Sequence, residues 1–583
     1  MANKKKIIKA ITAPKTPRKY ERVLDAYDLC RIIAKHGDKT AFTYYNKSKQ
    51  LYSISYVRFY NRVVRTAAGL TKHGLAGKKV AIIGETSVAW IATYLAVLVT
   101  GGVAIPMDKE LEISSIIGLL ESVDADAIVY SDHFNGKFTA EIKEKSCLEL
   151  FIPVDPTPEE LEAPKTMAYR KLRADGKADV DAGKFAISPV ENREKMAEML
   201  FTSGTTGTSK CVMLSQTNVF SVVNSAMATV PFVPEDVIVS VLPVHHTYEL
   251  ACMMAALVIG IEICINDSLR HVMKNFALFK PTGLVLVPLF VNTMYKKIWS
   301  EAERSHRDGI LRTALKTSRS LMAVGIDVRR KLFKSVHDAF GGRLEKIICG
   351  GARLNPELIE AFEDFGISIL EGFGITECAP LTNVTPYYAR KYGSVGTAVP
   401  CCRVRISDEF GDGAPNEHGY VEGELQVKGD NVMLGYYNNP EANESAFTDD
   451  GWFRTGDIAY MDKDGYVYIT GRMKSVIVLE NGKNVFPEEI EEYLEEVESI
   501  AECVVVGRKA ADSDEVILTA VIYPNRDKFP TGSSDELIQN SIRNSINQLN
   551  RKLPGFKQIR NIELRKTEFE KTTSKKIKRH LVK

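Results

Sequence analysis

An α/β fold is predicted, with a large N-terminal layered α/β domain followed by a smaller α+β C-terminal domain, and three observations carry the expectation. Short apolar runs of strand length alternate with longer runs of helix length through most of the chain. The 583 residues exceed what one hydrophobic core serves, since single cores stop growing at about 250–300 residues. Past Gly471 the rhythm changes to two amphipathic helices set among strands. The expected division is a basic tail over 1–20, a first domain over 21–471 and a second over 472–583.

The tail holds Lys4, Lys5, Lys6 and Lys9 without the apolar stretch of a secretory signal, so it reads as loose and solvated. Peripheral contact with anionic lipid is the other use for it, through Lys15, Arg18 and Lys19. Next come a strand over 79–84, a helix over 88–98, a strand over 103–106, a helix over 113–123 and a strand over 127–130. Two apolar stretches, 88–105 and 250–265, approach membrane-spanning length. Gly101, Gly102 and Gly260 punctuate them and Glu262 interrupts the second, so each is read as buried helix plus strand and no transmembrane segment is expected. The alternation resumes with strands over 238–242, 284–287, 346–348 and 367–370, apolar enough to be covered on both faces. Gly350 and Phe373 are expected just past strand ends, where open α/β sheets bind ligands.

In the last hundred residues Pro487 opens a helix with acids in its first turn, and Ile490, Tyr493, Leu494 and Val497 are spaced as one buried face. A second helix over 535–553 presents Leu537, Ile538, Ile542, Ile546, Leu549 and Leu553 before Pro554-Gly555. Strands over 503–506 and 517–523 are expected beneath them. Hydrophobic residues at 45% and charged residues at 26% are ordinary for a globular protein, and a net charge of +2 gives no reason to invoke nucleic acid. Ten cysteines without a Cys-x-x-Cys pair indicate neither zinc nor a disulfide framework, which fits a reducing, cytoplasmic compartment. Oligomeric state is not legible.

The chemistry is concentrated in short motifs. Residues 202–210, Thr-Ser-Gly-Thr-Thr-Gly-Thr-Ser-Lys, follow the apolar Met199, Leu200 and Phe201. Gly204 and Gly207 let backbone N–H groups approach an anion, the hydroxyls of Thr202, Ser203, Thr205, Thr206 and Ser209 add donors, and Lys210 adds a mobile charge. This reads as a cradle for a nucleoside triphosphate. Two residues between the glycines exclude a Walker loop, and the dinucleotide fingerprint fails because no glycine stands two residues from Gly204.

Further motifs follow: Gly350-Gly351-Ala352, then Glu371-Gly372-Phe373-Gly374-Ile375-Thr376-Glu377, Thr455-Gly456-Asp457, Gly471-Arg472-Met473-Lys474 and Lys571-Thr572-Thr573-Ser574-Lys575-Lys576-Ile577. In this order the set resembles the AMP-forming adenylating superfamily of acyl-CoA synthetases, luciferases and adenylation domains, and most of all the bacterial long-chain fatty acid–CoA ligases. Departures are Ser209 for proline, Cys211 for glycine and Lys575 for glycine.

The resemblance implies nucleotide contacts at Thr202, Ser203, Gly204, Thr205, Thr206, Lys210, Gly350, Gly351, Ala352, Glu371, Gly372 and Gly374, with Phe373 against adenine. It implies Thr376 on the α-phosphate, Glu377 and Thr202 as Mg²⁺ ligands, Asp457 on the ribose and Arg472 beside the sugar. Lys576 becomes the cation of the adenylation step, Lys474 the hinge of a mobile C-terminal domain, and Gly482 part of the loop that meets the thiol. The implied cofactors are ATP, Mg²⁺ and CoA.

For the acid itself, residues 242–249 offer no aspartate to pair with an α-amine, which disfavours amino acids. Their Pro-x-x-His and Tyr-Glu pattern is similar to long-chain acyl-CoA synthetases and places His246 at the acyl carboxylate. The His245-His246 pair does not complete an acyltransferase signature, because position 250 is leucine. The expectation is therefore an AMP-forming acid:thiol ligase for medium to long-chain fatty acids with CoA as acceptor. The alternatives are transfer to the phosphopantetheine of an acyl carrier protein, and a nucleotide- or lipid-binding protein that has lost catalysis.

Overall fold

The computed structural model describes residues 8–9, 20–202, 210–407, 413, 415–416, 418–479, 484–509, 516–571 and 577–582. They fall into two compact units, the first built from those up to 202 and those within 210–404 and 427–453, the second from those within 405–426 and 454–582.

Two largely parallel sheets organise the first unit. One runs Gly435–Tyr436, Lys210–Ser215, Met196–Thr202, Val103–Met107, Lys79–Ile83, Ala127–Tyr130, Leu150–Pro153. The other has nine strands, with Ser368–Gly374, Lys346–Cys349, Gly283–Leu286, Val237–Ser240, Glu262–Ile265 and Thr40–Tyr45 parallel at its centre. Period-two alternation divides each strand between two cores. Val80 and Ile82 join Ile238, Ile263, Val285 and Ile348 in a shared central core, whereas Ala81 and Ile83 face one outer core and Val239, Leu284 and Ile347 the other. Both faces of both sheets are thus covered, which is why these strands read as unbroken apolar runs.

Helices fill the central core. Val88–Val99 buries every residue, and Ser87 caps its N-terminus. Thr247–Ile259 ends on Gly260 in the left-handed region at φ 86°, and Glu262–Ile265 follows as a strand. Both long apolar stretches are therefore helix plus strand, and among the described residues no helix is long and apolar enough to cross a membrane.

The second unit has most of a four-stranded sheet, Cys402–Ile406, Gly423–Gly429, Phe453–Met461, Val467–Arg472, and a three-stranded sheet, Ile500–Lys509, Val516–Pro524, Asn561–Leu564. Helices Pro487–Glu495 and Asp535–Asn550 share a core with the latter.

Several sequence expectations are corrected. Phe373 lies inside the strand Ser368–Gly374, because the chain finds a second, antiparallel partner in Leu381–Val384 after its parallel neighbour ends at Cys349. Tyr493 is 39% exposed: the buried arc of its helix runs through Ile490 and Leu494, and one residue of α-helix turns Tyr493 about 100° away. Glu491 faces inward instead, its carboxylate meeting Arg579 and the N–H of Val505. Leu537 is exposed for the same reason, since Ile538, Ile542, Ile546 and Leu549 form the buried stripe. Of the expected loose tail, Ile8–Lys9 pairs antiparallel with Ala389–Arg390.

Candidate active site

Thr202 closes the strand Met196–Thr202 and Lys210 opens Lys210–Ser215. They are register partners in an antiparallel ladder, with the Thr202 hydroxyl donating to the Lys210 carbonyl at 3.4 Å. Ser203, Gly204, Thr205 and Thr206 lie outside the described residues, as do Gly482 and Lys576.

Lys210 does not stand alone. Its Nζ sits 4.6 Å from the centroid of the Tyr436 ring, and the Tyr436 hydroxyl donates to Glu377 Oε1 at 2.9 Å. Burial, then the Glu377 carboxylate, pushes the Tyr436 hydroxyl far above the usual phenol range, so it remains a donor. The N–H of Met433 donates to the Glu377 carbonyl at 2.8 Å. Three segments far apart in sequence thereby set a lysine and a carboxylate on either side of one phenol. Glu377 follows Thr376 in a short 3₁₀ turn, Thr376–Cys378, two residues beyond the strand that carries Glu371, Gly372, Phe373 and Gly374. Tyr436 carried no sequence signal, since its role depends on the pairing of Gly435–Tyr436 with Lys210–Ser215.

The glycines are required by close approach. A Cβ on Gly374 would lie 2.0 Å from the Pro380 carbonyl oxygen, and one on Gly350 would lie 3.1 Å from that of Gly372. Gly350 directly follows the strand Lys346–Cys349, Gly351 has φ 85°, and Ala352 is exposed. Glu371 is buried.

Against these residues opens a cavity of about 110 Å³ reachable by the centre of a water molecule. Gly350, Gly351, Gly372, Phe373 and Gly374 form part of its wall, and the rest is almost entirely apolar. Helix Thr247–Ile259 supplies Tyr248, Ala251, Cys252, Ala255, Ala256 and Ile259, one face at helical spacing whose middle four side chains are small. Those four small residues are a sequence signal by which the cavity could have been found. The Tyr248 hydroxyl donates to the Ile348 carbonyl at 3.0 Å.

His246 stands half-buried at the N-terminus of this helix, its ring 4.3 Å from that of His245. His245 is buried, and desolvation followed by its neighbours His246 and Lys109 holds it well below the usual imidazole range. Glu249, also buried, accepts from Ser240, and burial pushes its carboxyl up to about 8. Glu198 accepts from Tyr94 at 3.2 Å and is likewise pushed up to about 8 by burial.

In the second unit Asp457 and Arg472 face each other across the pairing of Phe453–Met461 with Val467–Arg472, Arg472 Nε lying 3.0 Å from Asp457 Oδ1. Asp457 is buried and Arg472 exposed, so the pair presents a guanidinium outward over a fixed carboxylate. Lys474 is exposed in the 3₁₀ turn Met473–Ser475.

Among the described residues no group of three or more His, Cys, Asp or Glu side chains could hold a metal. A magnesium ion suits such a site only as a partner of substrate phosphates, held by one or two carboxylates. Glu377 is such a carboxylate, half-buried and oriented by Tyr436.

Comparison with known proteins bears on the family. The AMP-binding enzyme family matches residues 30–437, and the AMP-binding enzyme C-terminal domain matches 474–583. The long-chain-fatty-acid–CoA ligase FadD15 of Mycobacterium bovis is 28% identical over 77% of this chain and 74% of its own. Long-chain-fatty-acid–CoA ligase 5 of Rattus norvegicus is 26% identical over 89% and 80%. Among solved structures, ATP-bound MatB from Rhodopseudomonas palustris superposes with a TM-score of 0.70 at 24% identity, covering 95% of this chain and 98% of its own. The adenylation domain of a carboxylate reductase from Mycobacterium chelonae does so at 0.79 and 21%, covering 96% and 89%. With a family match over most of its length, and a fold shared with adenylate-forming proteins, the chain belongs to the AMP-binding enzymes.

Proposed function

We propose that the protein is an ATP-dependent, AMP-forming acyl-CoA synthetase that activates a medium to long-chain fatty acid as its acyl-adenylate and then transfers the acyl group to CoA. One observation carries the reading: an apolar cavity shares its wall with Gly350, Gly372, Phe373 and Gly374, the residues assigned to the nucleotide by motif. A hydrocarbon tail in that cavity gains about 25 cal/mol for each Å² removed from water, and its carboxylate is left at the glycine rim. The ligase names of the curated relatives support the same substrate class.

On this reading the side chains do the following. Lys210 and residues 203–206 hold the triphosphate, Thr376 donates to the α-phosphate, and Phe373 stacks on adenine. Asp457 accepts from the ribose hydroxyls, and Arg472 lies beside the sugar. Glu377, with Thr202, would hold Mg²⁺, which when bound neutralises phosphate charge and supplies Lewis acidity. Lys576 offsets the repulsion between the incoming carboxylate and the α-phosphate and stabilises charge on the phosphoryl oxygens. His246 borders the acyl carboxylate. Lys474 is the hinge about which the second domain turns, and Gly482 lies on the loop that meets the thiol.

The test is exchange of labelled pyrophosphate into ATP across a panel of acids, followed by addition of CoA or a holo-acyl carrier protein. Exchange with medium and long fatty acids, and a thioester formed on CoA, is the expected result. Exchange driven by amino or aromatic acids alone would refute the substrate class, and thioester on the carrier protein alone would move the acceptor.

A further inference from the structure

The cavity runs along the strands. Its glycine rim lies at the carboxyl ends of Gly283–Leu286 and Lys346–Cys349, whereas Phe232, another wall residue, lies at their amino ends. From Lys346 to Gly350 the chain rises about 13 Å at roughly 3.3 Å per residue, which sets the scale of the cavity's depth. Phe232 is braced on three sides. Its ring packs on Gly283 so closely that a Cβ there would lie 2.5 Å from Cε1 and 2.9 Å from Cζ. Lys346 Nζ stands 4.6 Å from the ring centroid. The Phe232 carbonyl accepts from the Tyr20 hydroxyl at 2.6 Å.

Lys346 is itself fixed. Its Nζ donates to Asp236 Oδ2 at 2.9 Å and to the Pro231 carbonyl at 3.0 Å. Asp236 also accepts from the Thr282 hydroxyl at 2.6 Å and from the N–H of Val233 at 2.8 Å. Lys346 and Asp236 are each 5% exposed. Held by Asp236 and the Pro231 carbonyl, the buried ammonium keeps a fixed place over the ring, so a shift of the ring forfeits a desolvated cation–π contact as well as apolar packing.

We propose that Phe232 is the chain-length stop of the acyl cavity, held there by Gly283 and by the Lys346–Asp236 pair. This rests on the fatty-acid reading above. The ω-end of the acid terminates at Phe232, and the ion pair behind the ring keeps it from yielding. An acid one or two methylenes too long must displace the ring, and a methylene in an apolar pocket is worth about 10-fold or more in discrimination.

The test uses the full chain and a series of saturated fatty acids, reading kcat/KM for pyrophosphate release at each length. Phe232→Ala is expected to raise the ratio of long to short acids by about 10-fold or more. Gly283→Ala, whose Cβ drives the ring into the cavity, and Phe232→Trp, which fills it directly, are expected to shift the optimum to shorter acids. Because Gly283→Ala alone could damage folding, Phe232→Trp carries the same prediction independently, with thermal melts run on all three. Opposite shifts for Phe232→Ala and Phe232→Trp support the stop. An unchanged profile in both, or shifts in the same direction, overturns it. If the unaltered protein activates no fatty acid, the underlying reading fails before any variant is compared.

Discussion

Beyond the glycine rim the charged groups, Lys210 and Glu377, are half-buried and meet the phenol of Tyr436 at its ring and at its hydroxyl, whereas at the Phe232 end Lys346 and Asp236 are buried and bond directly. The first arrangement leaves both charges able to take a new partner, as a site for an anion and its counter-ion must. The second satisfies each charge internally, with Pro231, Val233 and Thr282 completing the set. Removing a charge should therefore cost activity at one end and stability at the other.

The largest effect is expected at the Phe232 end. Lys346→Met leaves Asp236 buried without its cation, a loss typically of about 3–5 kcal/mol. Denaturant midpoints at constant slope would show it. A loss below about 1 kcal/mol, the scale of an exposed pair, would mean that water reaches the pair and that the two ends are not different in kind.

At the rim the corresponding change is Glu377→Gln. Pyrophosphate exchange should fall by about 10²–10³, the range seen when a group that stabilises transition-state charge is removed, while the melting temperature stays close to that of the unaltered protein. A large drop in melting temperature with unchanged exchange would reverse the assignment of the two ends.

How much of this was legible in the sequence depended on whether the signal was local. Gly350, Gly374, Thr376 and Glu377 could be named because their motifs pack several required residues into adjacent positions. Tyr436 could not, because it reaches Glu377 only through a ladder between residues more than two hundred apart. Phe232, Lys346 and Asp236 were invisible for a similar reason, since an ion pair between residues 110 apart leaves no pattern along the chain. Apolar strands announced themselves by being covered on both faces, whereas Tyr493 misled because a short helix with Glu491 turned inward has a buried arc that composition alone misplaces.

Glu249 represents a third way of handling charge, by withholding ionisation. Its carboxyl is held at about 8 by burial against a usual 4.5, so between those values the folded protein keeps a proton that the unfolded chain has lost. Raising the pH through this window therefore erodes stability, by no more than about 1.4 kcal/mol per pH unit, and the erosion stops once the folded carboxyl also ionises. Glu249→Gln should remove that slope, so that the variant gains on the unaltered protein from pH 5 to pH 8. Parallel stability curves would show that Glu249 is ionised in the fold and would add it to the charged groups of the cavity region.

The smallest change separates the two contacts of Tyr436. Tyr436→Phe deletes the hydroxyl that orients Glu377 and keeps the ring beneath Lys210. A hydrogen bond to a charged group contributes about 1.5–3 kcal/mol when nothing replaces it, but Glu377 is half-exposed and water can take the vacated position. Pyrophosphate exchange is therefore expected to fall by about tenfold or less, well short of Glu377→Gln. Tyr436→Leu also removes the cation–π contact, worth about 0.5–1 kcal/mol near the surface, and should fall further through a higher KM for ATP. If Tyr436→Phe instead matches Glu377→Gln, the phenol is more than a prop for the carboxylate and the rim holds a donor that acts on the substrate itself.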